Sequence, residues 1–294
     1  MDVRSMSRAL VTGGELGGGV HRGRDRVSES RVGGPLAHLT DVGKCFPQRG
    51  RARGTLPQWT VRHVNLDVMR GEFLIVVGPS GSGKTTLLRM LAGILEPTEG
   101  TVVFDGRRVV GPSYERVMVF QSSEIALFEW LTVVQTVEFG LRAMKCPSRQ
   151  RAERTQEALA LVGLQGHDRK LPGELSGGMQ QRLQIARALA VRPALLLMDE
   201  PLAALDAQTR RILLRELVRI WQETQTTFVY VTHDIREAVL LGGRIAVVSR
   251  GPSAVVKLVV ANKLPYPRDE FDDEFIALYR RIDEEVSMEV GQDL

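Results

Sequence analysis

Cysteine is nearly absent from this chain: Cys45 and Cys146 stand far apart and outside any CxxC pattern. Two lone thiols exclude a disulfide framework and fit a reducing compartment, with structural or incidental roles ahead of metal or redox ones. Long apolar runs are lacking too. Nothing approaches the roughly 18 consecutive apolar residues that cross a bilayer. The longest runs, Phe73–Val77 and Ala194–Met198, have the length of buried strands. Met1–Gly34 mixes Arg, Ser, Asp and Gly with no continuous apolar segment, which predicts no secretory signal. There is no internal repeat and no heptad run. Charge of one sign is in little excess. The formal net charge of +4 is dispersed, so it permits contact with anionic lipid or nucleotide without pointing to nucleic acid. These absences predict a cytosolic protein; a partner must span any membrane that it serves.

What the chain does have is length and apolar content. Its 294 residues, 43% of them hydrophobic, suffice for one large or two modest domains with a sizeable core. Residues 1–36 are rich in Gly, Arg and Ser and are expected to form a disordered leader, because they cannot bury enough apolar surface to offset ordering entropy. Leu39–Phe46 and Val61–Val68 alternate apolar and polar residues as half-buried strands do, with the basic, turn-rich Pro47–Pro57 as a loop between them. Phe73–Val77 predicts a fully buried strand, followed by a glycine turn and a helix over Thr85–Leu95. Short strands are expected at Thr101–Phe104 and Val117–Phe120, then a helical block over about 122–190. Strands return at Leu195–Met198, Phe228–Val231 and Ile245–Val248. After Gly251 a strand and an amphipathic helix near Phe271–Val286 are predicted.

Three motifs carry chemistry. Gly78-Pro79-Ser80-Gly81-Ser82-Gly83-Lys84-Thr85 fits G-x-x-x-x-G-K-[ST] between an apolar strand and a helix. Glycines let backbone N–H groups face phosphate oxygens, and the helix start adds partial positive charge. Lys84 is expected on the β- and γ-phosphates and the Thr85 hydroxyl on Mg²⁺. The second motif is Leu195–Met198 followed by Asp199 and Glu200. Two carboxylates at the C-terminal end of a buried strand stand where parallel sheets bind ligands. Asp199 is expected to hold Mg²⁺ through water and Glu200 to orient or deprotonate an attacking water. Without the phosphate loop, the pair would read as a cap on a neighbouring helix. The third is Leu175-Ser176-Gly177-Gly178-Met179-Gln180. It reads either as a plain helix start capped by Ser176 or as a second anion site at a helix N-terminus.

A phosphate loop, then Leu-Ser-Gly-Gly-x-Gln, then a strand ending Asp-Glu resembles the ABC ATPase family over about Leu36–Arg250. The resemblance implies an α/β P-loop NTPase (RecA-like) core with an antiparallel β subdomain and an inserted α-helical subdomain. It divides the chain into a leader (1–36), an ABC ATPase domain (37–250, helical subdomain about 122–190) and a C-terminal extension (251–294). It implies ATP and Mg²⁺ as ligands. Gln121 resembles the Q-loop glutamine that reaches Mg²⁺ and the attacking water, although on its own it reads as a polar strand end. Ala204-Leu205-Asp206 resembles the D-loop, and His233 the switch histidine at the γ-phosphate. Phe46 resembles the aromatic that stacks on adenine, with a core phenylalanine as the rival reading; His63 and His167 are surface histidines. The nucleotide set is then Phe46, the loop Gly78–Thr85 with Thr86, Ser176, Gly177, Gly178, Gln180 and Asp206. Glu200, His233 and Gln121 are catalytic, and Thr85, Gln121 and Asp199 face the metal.

The family implies a homodimer sandwiching two ATP molecules, each between one copy's phosphate loop and the other's Ser176–Gly178. It implies a peripheral place at the cytoplasmic face of the membrane, beneath permease subunits served by an extracytoplasmic solute-binding protein, with no nucleic acid. Leu127–Val133, Phe139-Gly140-Leu141, Leu205–Arg210, His233–Ala238 and Phe275–Val286 are similar to the nitrate, sulfonate and taurine importer subfamily. Glu129, Pro201-Leu202-Ala203 and Ser249–Ser253 depart from its usual residues. An exporter ATPase, or a DNA-repair or translation ATPase, is the alternative.

Overall fold

A computed structural model of the chain describes residues 34–46, 58–121 and 127–287. The expected leader (1–36) therefore lies outside them almost entirely, as does the expected loop Pro47–Pro57. Ten strands and seven α-helices alternate along the described residues. The strands are β1 (Pro35–Cys45), β2 (Trp59–Met69), β3 (Phe73–Val77), β4 (Glu99–Phe104), β5 (Arg107–Arg108), β6 (Arg116–Val119), β7 (Leu195–Asp199), β8 (Thr227–Thr232), β9 (Arg244–Val248) and β10 (Val256–Ala261). The helices are α1 (Lys84–Ala92), α2 (Val133–Ala143), α3 (Ser148–Leu161), α4 (Gly177–Ala190), α5 (Ala207–Thr224), α6 (Ile235–Leu241) and α7 (Asp273–Ser287).

Two sheets form. One is antiparallel with order β2-β1-β4-β5; the other has order β10-β9-β3-β8-β7-β6. In the second, β9, β3, β8, β7 and β6 run parallel and β10 joins the edge antiparallel to β9. The stretch after residue 250 thus adds a strand to the same sheet. The parallel strands are apolar along their middles, with polar residues only at their ends, because both faces are covered. Alternation by two sorts their side chains. Leu74, Val76, Leu195, Leu197, Val229 and Val231 pack towards α1 and the antiparallel sheet. Phe73, Ile75, Leu196, Met198, Phe228 and Tyr230 pack towards the opposite face, where α4, α5 and α6 supply Ile185, Leu213 and Val239.

Of the stretch expected to be helical, residues 122–126 lie outside the described residues, and the first described helix in it is α2. α2 opens at Val133 because Thr132 and Gln135 form a reciprocal capping box, the Thr132 hydroxyl accepting from Gln135 N and Gln135 Oε1 accepting from Thr132 N. α1 is shorter than the predicted Thr85–Leu95, because Gly93 takes a left-handed conformation (φ 77°) and its N–H closes the helix on Met90 O. β1 and β2 extend past the predicted spans. Bulges near Asp41 and Lys44 let the longer strands stay paired, bringing Trp59 opposite Cys45.

Candidate functional site

The loop between β3 and α1 is built by close approach. A Cβ at Gly83 (φ 83°) would sit 2.5 Å from Val61 Cγ1, and one at Gly78 would sit 2.5 Å from Val248 O. Both positions therefore need glycine to let the chain turn tightly over the strand ends. Lys84 folds back so that its Nζ donates to the carbonyls of Gly78 and Pro79, each at 2.8 Å. Burial pushes the Lys84 ammonium below the ordinary lysine range, opposed by the carboxylates of Glu200 and Asp199. The Ser82 hydroxyl is buried with no hydrogen-bond partner among the described residues. A concave loop with an orphaned donor, a buried ammonium and a helix start is a fit for phosphate oxygens. Pro79 and Thr86 are half-buried beside it, and Ser80 and Gly81 are exposed.

The β7 carboxylates meet this loop. Thr85 Oγ1 donates to Asp199 Oδ1 at 2.9 Å. Burial raises the Asp199 pKa against the pull of that hydrogen bond, and the Glu200 charge raises it further. Hydroxyl and carboxylate oxygens are the donors that Mg²⁺ takes, and two protein ligands are enough where substrate phosphates complete the shell. The donor set fits the ion. Gln121 is exposed just past the end of β6, the strand next to β7.

Glu200 follows Asp199 with φ 42°, a left-handed conformation uncommon for a side chain of this size. Its N–H donates to Val231 O at 3.0 Å, which fixes the turn. Its Oε2 lies 3.0 Å from His233 Nδ1, just past the end of β8. So Lys84, Thr85, Asp199, Glu200 and His233, up to 149 positions apart by subtraction of their numbers, gather at the C-terminal ends of β3, β7 and β8.

The remaining predicted residues stand elsewhere. Phe46 is 43% exposed at the rim of a cavity of about 410 Å³ that also touches Ser80 and Gly81. It is therefore not a core residue. Ser176 caps α4, its hydroxyl accepting from Met179 N at 3.4 Å, and stays exposed with Gly177. Gly178 is buried, and a Cβ there would meet Thr209 Cγ2 at 2.7 Å, so its small size serves helix packing. Gln180 turns its amide inward onto the carbonyls of Pro172 and Leu175. Asp206 is an N-cap: its carboxylate accepts from Gln208 N and Thr209 N, and hydrogen bonding, first from the Thr209 side chain and then from these N–H groups, holds its pKa down. None of Ser176, Gly177, Gly178, Gln180 or Asp206 contacts the Lys84 loop through a described hydrogen bond within one chain.

Two groups of residues were assigned no site role by the sequence, although part of each lies in the segments compared with the importer subfamily. Gln58, Trp59, Thr60 and Arg250–Pro252 line the cavity beside Phe46. The Trp59 signal was an aromatic just ahead of the predicted strand Val61–Val68. Phe128, Trp130 and Phe139 form an aromatic cluster, with ring centroids 5.2 and 5.0 Å apart, on which Trp130 is 73% exposed. A larger cavity of about 620 Å³ between α5, α6 and Tyr266–Phe271 holds none of the site residues. No helix of the described residues is long and apolar enough to cross a membrane.

A model of the ABC transporter family matches residues 61–203. A nitrate import ATP-binding protein of Synechocystis sp. is 43% identical over 232 residues, covering 79% of this chain and 84% of that protein. A taurine import ATP-binding protein of Pelagibacter ubique is 48% identical over 197 residues, covering 67% of this chain and 74% of that protein. Among solved structures, a dimeric ATP-binding cassette in a post-hydrolysis state, bound to ADP and Pi, superposes with a TM-score of 0.65 at 30% identity, covering 78% of this chain and 100% of that one.

Proposed function

The chain belongs to the ABC transporter family, as an ATP-binding subunit, and from that premise we propose that it hydrolyses ATP to drive import of a small solute through a separate membrane permease. The observation that carries the chemistry is the meeting of two contacts at one sheet edge, Thr85 with Asp199 and Glu200 with His233.

ATP is the substrate. The backbone of Gly78–Gly83 and the Lys84 ammonium bind its phosphates, with Thr86 at the loop's end. Thr85, Asp199 and Gln121 hold Mg²⁺, which when bound supplies neutralising charge to the phosphate oxygens. Glu200 orients water and takes its proton as the water oxygen attacks the γ-phosphorus and the bond to ADP breaks. His233 holds the Glu200 carboxylate and faces the γ-phosphate. Phe46 offers its ring to the adenine at the mouth of the cavity shared with Ser80, where Trp59 also lies.

Ser176, Gly177 and Gly178 at the start of α4, with Gln180 bracing that turn and Asp206 ahead of α5, serve the nucleotide bound by a second copy of the chain. That none of their described hydrogen bonds reaches the chain's own loop supports this division of labour. The Asp206 cap and the α4 start lie on neighbouring elements, since Thr209 packs on Gly178. ATP then binds the closed dimer better than the open one, which is the differential affinity any ligand-driven change requires. The domain division at 37–250, with the helical subdomain over about 122–190, keeps its place in this reading; residues 251–294 complete the sheet edge with β10 and add α7.

The nitrate and taurine import relatives, with the sequence resemblance to the nitrate, sulfonate and taurine subfamily, support a solute of that type, with permease subunits and an extracytoplasmic solute-binding protein as partners at the cytoplasmic face of the membrane. The exposed Trp130 and Phe139, stacked about the half-buried Phe128, supply an apolar surface of the kind a permease loop would cover. The test is purification of the tagged chain from its native membrane in mild detergent, with ATP hydrolysis measured on the product. A co-purifying multi-spanning permease and phosphate release are expected. ATP hydrolysis stimulated by nucleic acid, with no membrane partner, would overturn the transport assignment.

A further inference from the structure

We propose that Glu237 and Arg210 are paired positioning residues that tie the turn carrying His233 to the segment Ala203–Asp206. The inference rests on the ATPase reading and names what holds its histidine in register with the subunit interface.

Glu237 lies on α6 with its side chain only 8% exposed. One carboxylate oxygen, Oε2, accepts from Tyr230 Oη at 2.9 Å and from Thr232 Oγ1 at 2.8 Å. The Thr232 hydroxyl oxygen in turn accepts from Asp234 N at 3.0 Å. The residues on both sides of His233 are thereby pinned through one buried carboxylate. The other oxygen, Oε1, faces Arg210 Nε across 4.0 Å.

Arg210 reaches the other way. Its Nη2 donates to Leu205 O at 3.0 Å and to Ala203 O at 3.3 Å, and its backbone N–H to Asp206 O at 2.9 Å. Its Nε is buried and makes no hydrogen bond among the described residues. One guanidinium therefore grips the segment that precedes α5 while an unused donor points at the carboxylate behind His233.

A buried carboxylate is costly unless its charge is used. Burial raises the Glu237 pKa, opposed by the Thr232 and Tyr230 hydroxyls and by Arg210. Hydroxyls alone would be satisfied by a neutral amide oxygen; only Arg210 needs the charge. The 4.0 Å gap is longer than a hydrogen bond and closes by about 1 Å to make a charge-assisted one. A small shift of 203–206, the segment placed at the second copy, then changes how firmly the His233 turn is held on Glu200.

The experiment is steady-state ATPase kinetics of the full chain carrying Glu237→Gln, Arg210→Gln, Arg210→Lys and the double Gln variant, each repeated with His233→Ala. Glu237→Gln keeps one oxygen for both hydroxyls and replaces the charged oxygen that faces Arg210 with an amide NH2. With the pair acting together, kcat falls about tenfold in each single Gln variant while KM for ATP stays within about twofold. The double variant is no slower than either single one, Arg210→Lys recovers part of the loss, and neither Gln change slows the His233→Ala enzyme further. Losses that multiply in the double variant or persist without His233, or unchanged kcat in the singles, overturn the proposal. If Glu237→Gln does not fold, Arg210→Gln against Arg210→Lys decides: equal kcat in the two overturns it. A wild-type chain without ATPase activity would overturn the ATPase reading itself, and this inference with it.

Discussion

Glu200 combines a left-handed backbone, an anchoring N–H bond to Val231 and a side-chain contact with His233. Strained backbone of this kind persists where the surroundings over-determine it, and here they aim a carboxylate at the phosphate loop. Replacing the carboxylate by an amide keeps the shape and removes the proton acceptor. Glu200→Gln should retain ATP binding and lose about 10²–10⁴-fold in turnover, read by nucleotide titration beside phosphate release. Wild-type-like turnover would move the catalytic role elsewhere. Lys84 tests the other half of the site. Among the described residues its ammonium donates to the carbonyls of Gly78 and Pro79, weak partners that phosphate oxygens can replace. Lys84→Ala should weaken ATP affinity about tenfold or more, since a hydrogen bond to a charged group contributes about 1.5–3 kcal/mol. Equal affinity in a titration would count against the loop as the phosphate site.

At the scale of elements, the site depends on strands held rigid beneath it. Phe73 at the start of β3 is fully buried and makes ring contacts with Phe228, Tyr230 and Trp221, at centroid distances of 5.2, 6.5 and 5.8 Å. Trp221 also ties α5 to the β2–β3 turn by donating to Gly71 O at 2.9 Å. Phe73→Ala leaves a cavity under the strand that carries the phosphate loop. It should destabilise the fold by about 3–5 kcal/mol, measured by urea unfolding. A loss under about 1 kcal/mol would mean that the cluster collapses into the space.

At the scale of the whole molecule, the loop and the α4 start are the two halves of the nucleotide site proposed above, and no described hydrogen bond joins them within a chain. A shared ATP should therefore drive association. Glu200→Gln, which keeps its nucleotide, should sediment as a dimer with ATP and as a monomer without it. A tight dimer in nucleotide-free buffer would show that the protein surface alone supplies the affinity. The aromatic cluster sets a further expectation. Trp130→Ala should leave the ATPase rate of the isolated subunit within about twofold, because the ring touches only Phe128 among described aromatics, yet reduce permease recovery in the pull-down. Undiminished recovery would remove this patch from the interface.

The sequence by itself determined the local parts. Phe73–Val77 was legible as a buried strand from its unbroken apolar run, and the glycine spacing ahead of Lys84 and Thr85 as a tight turn before a helix, whereas the positive φ and close approach at Gly83 belong to the folded chain. Ser176 was legible as a helix start because its side chain satisfies an N–H group that the helix cannot, whereas the caps at Thr132 and Asp206 emerged only in the folded chain. Resemblance of the ordered motifs supplied the family. What only the tertiary structure decided is which side chains meet. The order β3-β8-β7 sets Asp199 against Thr85 and His233 against Glu200, and sequence distance says nothing about strand order. It turned Gln180 inward, set Phe46 at a cavity rim beside Trp59, and joined Glu237 to Arg210. Each of these depends on long-range packing of faces, which a linear pattern of residue types carries no record of.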